Sequence, residues 1–312
     1  MLFSVAKRVV DESVSLSAEK IIILGRGEPF LHPKIYDMIR YAKDKGLLVT
    51  VLTNGSFGRE DIEVLSRIDS FIINVSAATA KTYEMLQSNS PGSFKKVMDN
   101  LKLLSKIKKI RGRSSIEIKY VVCAQNIAEI REMILICREL GIDKVSFIPM
   151  FAVPGMEGIV LTPKLAKEYS PMLQKIIKDG GYFVSHSNIR DLHLLLGNIK
   201  KGMCVSSSSG NRLRYFKRIF DTGFKCYIGW YSLSVSLNGD VFFCCHHKIP
   251  GGNIYREPLS VIWQNQALRE QRLDMKYKFN IRLARWKDCH NCLDADLFDS
   301  IRRRIEALEK KW

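Results

Sequence analysis

The cysteines are the residues whose type and spacing first indicate chemistry in this chain. There are eight, and five of them follow residue 225: Cys226, Cys244, Cys245, Cys289 and Cys292. The Asn238–Gly239 pair between the first two predicts a β-hairpin, which would bring Cys226 close to Cys244. The last two form a C-x-x-C turn. Four such thiolates can hold Zn²⁺ or an iron–sulfur cluster, and spacing alone favours zinc slightly while leaving both open.

A second group of candidate residues follows three predicted strands. The first strand runs into Gly25–Pro29, the second ends in Thr53–Gly55, and the third ends in Ser76–Ala78. The carboxyl ends of parallel strands meet at one rim, where ligands bind in α/β proteins. Glycines there let backbone groups approach a ligand closely. The pattern therefore predicts a cofactor site on this rim.

The elements that would position these residues alternate between strands and helices. Five apolar, β-branched runs predict strands: Lys20–Leu24, Leu48–Thr53, Phe71–Ser76, Ile116–Val122 and Lys144–Pro149. Apolar residues at helical spacing lie between them, and Gly46 is placed to end the first such helix. Cys137 lies on one of these apolar stripes and Cys123 ends a strand, so both are interpreted as packed thiols. The alternation predicts βαβ units, with runs apolar on both faces as in covered parallel strands.

The pattern changes after residue 225, where short alternating strands replace the βα repeats. Apolar residues at helical spacing near the end of the chain predict a terminal helix. We therefore expect a barrel-like domain over residues 1–196, a linker over 197–225 and a small cysteine-rich domain over 226–312.

Composition narrows the functional classes. Of the 312 residues, 46% are hydrophobic and 26% are charged, which is typical of a globular protein. No apolar stretch approaches membrane-spanning length, and the first residues lack the apolar block of a secretory signal, so we expect a cytoplasmic protein with no membrane partner. The net charge of +17 is compatible with an acidic partner. No stacking-aromatic module accompanies it, so nucleic acid is not the expected partner.

These segments together resemble a family. GRGEPFLHP at residues 25–33 is similar to the Gly-Gly-Glu-Pro motif of radical S-adenosylmethionine (SAM) enzymes, with Arg26 in place of the first glycine. TNG at 53–55 and INVSAAT…TYEML…SFKKVMDNLKLL at 73–104 resemble the third- and fourth-strand regions of that family. The resemblance implies an α/β fold, a partial (β/α)6 TIM-like barrel whose first strand is missing, followed by a small Cys-rich α+β domain with a β-hairpin.

The resemblance also implies which residues bind SAM. Backbone groups of Gly27, Glu28 and Pro29 would hold the methionine amino group. Asn54 and Ser76 would lie in the same pocket. The family activity is a SAM-dependent radical modification, and the implied partners are a peptide or protein substrate and a reductant such as flavodoxin or ferredoxin.

The C-terminal cysteines resemble the SPASM domain, the auxiliary-cluster domain of many radical SAM enzymes. This context favours iron–sulfur over zinc and implies one [4Fe–4S] auxiliary cluster on Cys226, Cys244, Cys289 and Cys292. Cys244 and the adjacent Cys245 are alternatives for one ligand, because neighbouring residues of a strand face opposite sides. The further cysteines of a second auxiliary cluster are not found, so one cluster is expected.

The chain departs from the family in one respect. Radical SAM enzymes hold a catalytic [4Fe–4S] cluster with Cys-xxx-Cys-xx-Cys after the first barrel strand, and that spacing is not found here. We therefore expect an incomplete SAM pocket, no catalytic residue and an inactive chain. A truncated reading frame and a true loss of the first strand both remain open. The alternatives are a non-catalytic binding or scaffold protein with a structural iron–sulfur or zinc site, and, from the charge alone, an RNA-binding metalloprotein.

Overall fold

The computed structural model describes residues 1–25, 27–87, 90–150, 157–179, 227–244 and 249–277. These residues belong to two compact units. One unit contains the described residues from 18 to 179. The other combines residues 1–17 with 227–244 and 249–277.

The first unit is a parallel sheet whose strands alternate with helices. Its strands are β1 (Lys20–Ile23), β2 (Leu48–Thr53), β3 (Ser70–Asn74), β4 (Ser115–Val122) and β5 (Lys144–Pro149). Its helices are α2 (Ile35–Asp44), α3 (Ile62–Arg67), α4 (Ala80–Leu86), α5 (Ser93–Arg111), α6 (Ile130–Glu139) and α7 (Pro163–Lys178). Three short 3₁₀ helices are also present, at Pro29–Leu31, Ile127–Glu129 and Glu157–Ile159.

The strands follow one another in sequence order, β1-β2-β3-β4-β5, and every neighbouring pair is parallel. Sequential order is the arrangement of a TIM-like barrel, whereas a doubly wound sheet reverses its order at a switch point. The predicted partial barrel is therefore confirmed. Two predicted strands, β2 and β5, match their observed bounds, and the other three agree to within two residues. Gly46 follows α2 with a φ of +84°, as expected for a helix end.

The two faces of the sheet differ in composition. One face carries fully buried side chains of every strand from β2 to β5, including Val51, Phe71, Ile118 and Phe147. The opposite face of β3, β4 and β5 carries polar and charged side chains, which we call the polar face: Ser70, Asn74, Ser115, Glu117, Lys119, Lys144 and Ser146. The expectation of strands apolar on both faces is therefore wrong for β4 and β5, in which polar and apolar side chains alternate in period two.

Strand β1 lies at the edge of the described sheet. Its side chains are the least buried of the five strands, and Ile22 is 50% exposed. Leu24, which follows the strand, is 56% exposed.

The second unit is built around a short antiparallel sheet. Its elements are α1 (Phe3–Ser15), a 3₁₀ helix at Ile228–Trp230, β6 (Ser234–Val235), β7 (Asp240–Phe242), β8 (Gly252–Asn253), α8 (Leu259–Gln264) and α9 (Gln266–Tyr277). Strands β6 and β7 form the predicted hairpin, and Gly239 adopts a φ of +82° at its turn. A side chain at Gly239 would also collide with the Tyr255 ring.

Helix α1 packs in this second unit. Val5 and Val9 contact its core, which contains Val241 and Ile262, and the Glu12 carboxylate accepts a hydrogen bond from the backbone N–H of Leu259. The sequence pattern instead grouped these residues with the barrel, because an amphipathic helix reveals its apolar face but not the element that covers it. The linker over 197–225 and the terminal helix lie outside the described residues, so these boundaries stay a prediction.

Within the described part of the chain, we find no helix with the length and apolar character needed to span a bilayer.

Candidate cofactor site

The carboxylate of Glu28 joins the ends of β1 and β2. Its Oε1 accepts hydrogen bonds from Thr53 Oγ1 at 2.7 Å and from the Phe30 backbone N–H at 3.1 Å. Its Oε2 accepts one from the backbone N–H of Asn54 at 2.7 Å. Because the Glu28 carboxylate accepts these three hydrogen bonds, the backbone of Gly27–Pro29 is held beside the end of β2.

The local sequence explains this geometry. Glu28 caps the 3₁₀ helix that begins at Pro29, where the fixed φ of proline suits a first helical position. Thr53 uses the same hydroxyl to accept a bond from Gly55 N–H at 3.0 Å. Gly55 has a φ of +80°, and an added Cβ there would lie 3.0 Å from Ile73 and 3.1 Å from Val97. The turn after β2 therefore requires a glycine.

Asn54 lies next to Glu28, and its side chain makes a local turn. Asn54 Oδ1 accepts from both the backbone N–H of Ser56, at 2.8 Å, and the Ser56 hydroxyl, at 2.6 Å. The Asn54 residue is exposed. Its amide nitrogen has no acceptor among the described residues, which leaves a donor for a ligand.

Ser76 occupies a different part of the rim. It is 6% exposed, and its hydroxyl accepts from Val121 N–H at 3.0 Å and donates to Asn74 Oδ1 at 3.2 Å. Its backbone N–H donates to Gln87 Oε1 at 2.6 Å. These bonds tie Ser76 to β4 and α4. The structure therefore brings Glu28 and Asn54 together, while Ser76 is engaged with the β3–β4 side of the rim.

Two residues that sequence analysis missed organise that side. The fully buried Asn126 donates to the carbonyls of Ser76 and Val121, and its Oδ1 accepts from Cys123 N–H at 2.7 Å. The Glu129 carboxylate accepts from Ala78 N–H at 2.7 Å and from neighbouring threonine hydroxyls. The only sequence signal for Asn126 is a polar residue just after a strand end.

Both isolated cysteines of the barrel are buried, as predicted. Burial raises the pKa of the Cys123 thiol, and it raises the pKa of Cys137 to about 12. A thiol with a raised pKa is a poor nucleophile and a poor metal ligand, because the thiolate is the reactive form. These residues therefore serve packing.

Of the four predicted cluster ligands, Cys244 lies within the described residues. It is half-buried and packs against the core that contains Phe243. Cys226, Cys289 and Cys292, together with the alternative ligand Cys245, lie outside the described residues. Within the described part, no group of three or more His, Cys, Asp or Glu residues is placed to hold a metal.

A buried cation, Arg272, contacts the 3₁₀ helix at Ile228–Trp230. Arg272 is 9% exposed, its Nε donates to the Gly229 carbonyl at 2.6 Å, and its Nη1 donates to the Trp263 carbonyl at 2.7 Å. Its buried Nη2 has no acceptor among the described residues. Gly229 follows Cys226 by three residues, and Phe243 contacts the same glycine position. The guanidinium also stacks on the Trp263 ring at 4.1 Å, and it has no carboxylate partner among the described residues. A buried cation of this kind can accommodate an anionic group.

Two family models match the chain. Residues 3–134 match the radical SAM superfamily, and residues 226–293 match SPASM, an iron–sulfur cluster-binding domain. A curated relative, the AdoMet-dependent heme synthase of Methanosarcina barkeri (strain Fusaro / DSM 804), is 25% identical over 307 residues. The alignment covers 92% of this chain and 80% of that protein.

Solved structures show the same fold. Streptococcus suis SuiB bound to the precursor peptide SuiA superposes with a TM-score of 0.59 at 16% identity, covering 95% of this chain and 66% of that one. Native anSMEcpe with bound AdoMet and Kp18Cys peptide gives a TM-score of 0.54 at 16% identity, covering 86% and 74%. The chain thus spans slightly less than two thirds of SuiB, and at these identities the likeness concerns the fold.

Proposed function

The chain belongs to the radical SAM superfamily and carries a SPASM iron–sulfur cluster-binding domain, and from this premise we propose that it binds SAM on the barrel rim and one auxiliary cluster, without cleaving SAM itself. The observation that carries the SAM assignment is the Glu28 carboxylate, bonded to Thr53 and Asn54. This contact fixes the backbone of Gly27–Pro29 where the methionine amino group would bind.

The proposed pocket consists of Gly27, Glu28, Pro29, Asn54 and Ser76. Glu28 acts through its side chain as a brace. The carbonyls of Glu28 and Pro29 each accept one hydrogen bond within the 3₁₀ turn, from Leu31 N–H at 3.1 Å and His32 N–H at 3.0 Å, and each keeps a second lone pair for the ligand. Asn54 supplies an exposed amide donor next to that backbone. Ser76 contributes through its position, because its hydroxyl is already engaged by β4 and Asn74.

The catalytic cluster does not fit the residues of this chain. Its family motif needs three cysteines at the spacing Cys-xxx-Cys-xx-Cys, and the eight cysteines here include no such triplet. Both cysteines of the described barrel residues are buried and have a raised pKa. We therefore propose no step through that cluster and no catalytic residue. Because the cluster would supply part of the SAM pocket, the pocket of this chain is incomplete.

The auxiliary site fits a cluster better. Cys226, Cys244, Cys289 and Cys292 would hold one [4Fe–4S] cluster, which supplies one-electron transfer when bound. The buried charge of Arg272 supports an anionic group in this unit. A reductant such as a flavodoxin or ferredoxin would be its electron-transfer partner. The alternative function is a binding or scaffold protein that uses a structural cluster, or zinc, at the same cysteines.

A peptide or protein is the proposed substrate class. The SuiB and anSMEcpe structures with this fold are complexes with peptides. In a complete enzyme of this family, SAM-dependent radical chemistry would modify such a substrate, whereas this chain would contribute binding alone.

A heme-type tetrapyrrole is a second candidate substrate. The observation that favours it is the similarity to an AdoMet-dependent heme synthase, which covers more of that relative's length than the fold match covers of SuiB. The two candidates differ in the shape of the ligand, while carboxylate groups can occur in both.

One experiment tests the proposal. The chain is reconstituted anaerobically with iron and sulfide, and metal content and SAM binding are then measured separately. We expect about four irons and four sulfides per chain, and weak SAM binding that depends on Glu28. Stoichiometric zinc without iron–sulfur absorption would overturn the cluster, and SAM binding unchanged by Glu28→Gln would overturn the pocket.

A further inference from the structure

The polar face of the sheet places charged side chains in two rows across neighbouring strands. In one row, Lys119 of β4 lies between Asn74 of β3 and Ser146 of β5. In the next row, Glu117 of β4 pairs with Lys144 of β5. Residue Lys119 is thus level with the carboxyl end of β3, next to the rim that carries Ser76.

These side chains converge on a single oxygen. Glu117 Oε1 lies 2.8 Å from Lys119 Nζ and 3.3 Å from Lys144 Nζ, and it accepts a 2.7 Å hydrogen bond from Ser146 Oγ. Because both ammonium groups contact the same atom, they lie close enough together to reach one further anion. The cluster of two cations and one anion carries a net positive charge.

The cluster is not explained by packing. A parallel strand that is covered on both faces is usually apolar throughout. The side chains of Lys119 and Lys144 are 31% and 37% exposed, while that of Glu117 is 17% exposed. Each ammonium has three N–H donors, and Glu117 is the sole acceptor that the described residues provide to either lysine. The remaining donors are directed to solvent or to a ligand.

We propose that Lys119 and Lys144 form a carboxylate-binding site on the polar face, in which Glu117 holds both lysines in place and the ligand is a carboxylate of the substrate. This inference rests on the proposed function, because it assigns a substrate group to the same barrel. It differs from the SAM pocket in its residues and in its position along the strands. The carboxylate can come from a tetrapyrrole side chain or from an acidic peptide side chain, since the recognition chemistry is the same.

Glu117 tunes this site. Its carboxylate competes with the ligand for the two ammonium groups, and it also keeps them from separating. Replacing it by glutamine preserves the side-chain shape but raises the net charge of the cluster by one. The site would then bind a carboxylate more tightly, because both ammonium groups lose their competing partner.

The test uses the full chain, reconstituted anaerobically, and two pairs of matched probes. The first pair is mesoporphyrin IX and its dimethyl ester. The second is a blocked pentapeptide with one central Glu and the same peptide with Gln. Dissociation constants are measured by porphyrin fluorescence and by calorimetry, with and without saturating SAM. The variants are Lys119→Gln, Lys144→Gln and Glu117→Gln, with the exposed Lys106→Gln on α5 as a control.

We expect the acid form of one probe pair to bind about tenfold more tightly than its neutral form, the value of one charge-assisted hydrogen bond. Each lysine variant should lose this preference, Glu117→Gln should increase it, and Lys106→Gln should leave it unchanged. The pair that shows the preference identifies the source of the carboxylate. If one lysine variant fails to fold by circular dichroism, the other lysine variant decides the outcome.

Three results would overturn the inference. The acid and neutral forms of both pairs could bind equally, or folded lysine variants could keep the preference. Alternatively, the lysine variants could weaken SAM binding while SAM displaces the acid probe, which would assign the lysines to the carboxylate of SAM. Loss of SAM binding in every protein, with the acid preference intact, would instead refute the proposed SAM pocket and leave this inference standing.

Discussion

The backbone N–H of Asn54 donates a 2.7 Å hydrogen bond to the carboxylate of Glu28, although the two residues are 26 positions apart. Together with the bond from Thr53, this contact joins the ends of two neighbouring strands at the rim of the sheet. Glu28 therefore works through its side chain to brace the turn, while its carbonyl accepts one hydrogen bond from Leu31 N–H and keeps a second lone pair for a ligand.

Glu28→Gln should weaken both stability and SAM binding. The new amide places donors where Asn54 N–H needs an acceptor, so we expect a loss of about 2 kcal/mol in the free energy of unfolding. Urea denaturation and equilibrium dialysis with labelled SAM measure the two effects. Glu132→Gln, on an exposed position of α6, is the matched control and should change neither. Equal behaviour of the two variants would contradict the bracing role.

Gly55→Ala should destabilise the barrel more than Gly46→Ala. Both glycines have φ near +80°, but an added Cβ meets Ile73 and Val97 only at Gly55, while Gly46 has open space around it. Backbone strain alone costs about 1 kcal/mol, and overpacking adds about 1–3 kcal/mol at Gly55. Thermal and urea unfolding of the pair check this difference. A loss at Gly46 as large as that at Gly55 would show that the close contact does not matter.

The strands and the hairpin could be predicted because their signals are local. Strand β2 is a largely apolar, β-branched run bounded by polar turns, and β5 alternates the apolar Val145 and Phe147 with Lys144 and Ser146. Asn238–Gly239 combines the backbone freedom of glycine with flanking alternation. The three strand ends were also placed on one rim, since that follows from parallel pairing alone.

The contacts that complete the site could not be predicted in this way. Asn126 and Glu129 act by bonding to groups about 50 residues away in sequence, and nothing in their neighbourhood specifies those partners. Likewise, the apolar face of α1 was visible, but the core that it covers was not. The alternation of Glu117 and Lys119 in β4 is a local signal of a polar face, although apolar residues separate the two charges.

The Glu117 carboxylate should make part of the stability depend on pH. Burial raises its pKa, but the hydrogen bonds and charges of Lys119, Ser146 and Lys144 outweigh burial and leave the pKa below its ordinary value. A lowered pKa in the folded state contributes stability that is complete above the unfolded pKa, about 4.3, and is lost as the pH falls through the folded value.

The free energy of unfolding of the wild type should therefore exceed that of Glu117→Gln most clearly near about pH 6, and the difference should shrink towards about pH 3. Urea unfolding of both proteins across this range measures it. A difference that stays constant with pH, or grows on acidification, would show that the carboxylate is not stabilised by its lysine partners.

The assignment of Cys244 as a cluster ligand can be tested against its neighbour. Cys244→Ser should reduce iron and sulfide in the reconstituted protein, while Cys245→Ser should retain about four of each. Iron analysis and visible absorption near about 400 nm report the cluster. Loss of the cluster only in Cys245→Ser would show that the ligand is Cys245, and that Cys244 serves the core around Phe243.

The most direct test of the account is production of 5′-deoxyadenosine. The 312-residue chain, reconstituted anaerobically, is incubated with dithionite and SAM, and the product is quantified by liquid chromatography and mass spectrometry. We predict no 5′-deoxyadenosine above background, because none of its cysteines forms the triplet that anchors a SAM-cleaving cluster. Multiple turnovers of 5′-deoxyadenosine formation would contradict the account, and would mean that other residues of the chain hold the catalytic cluster.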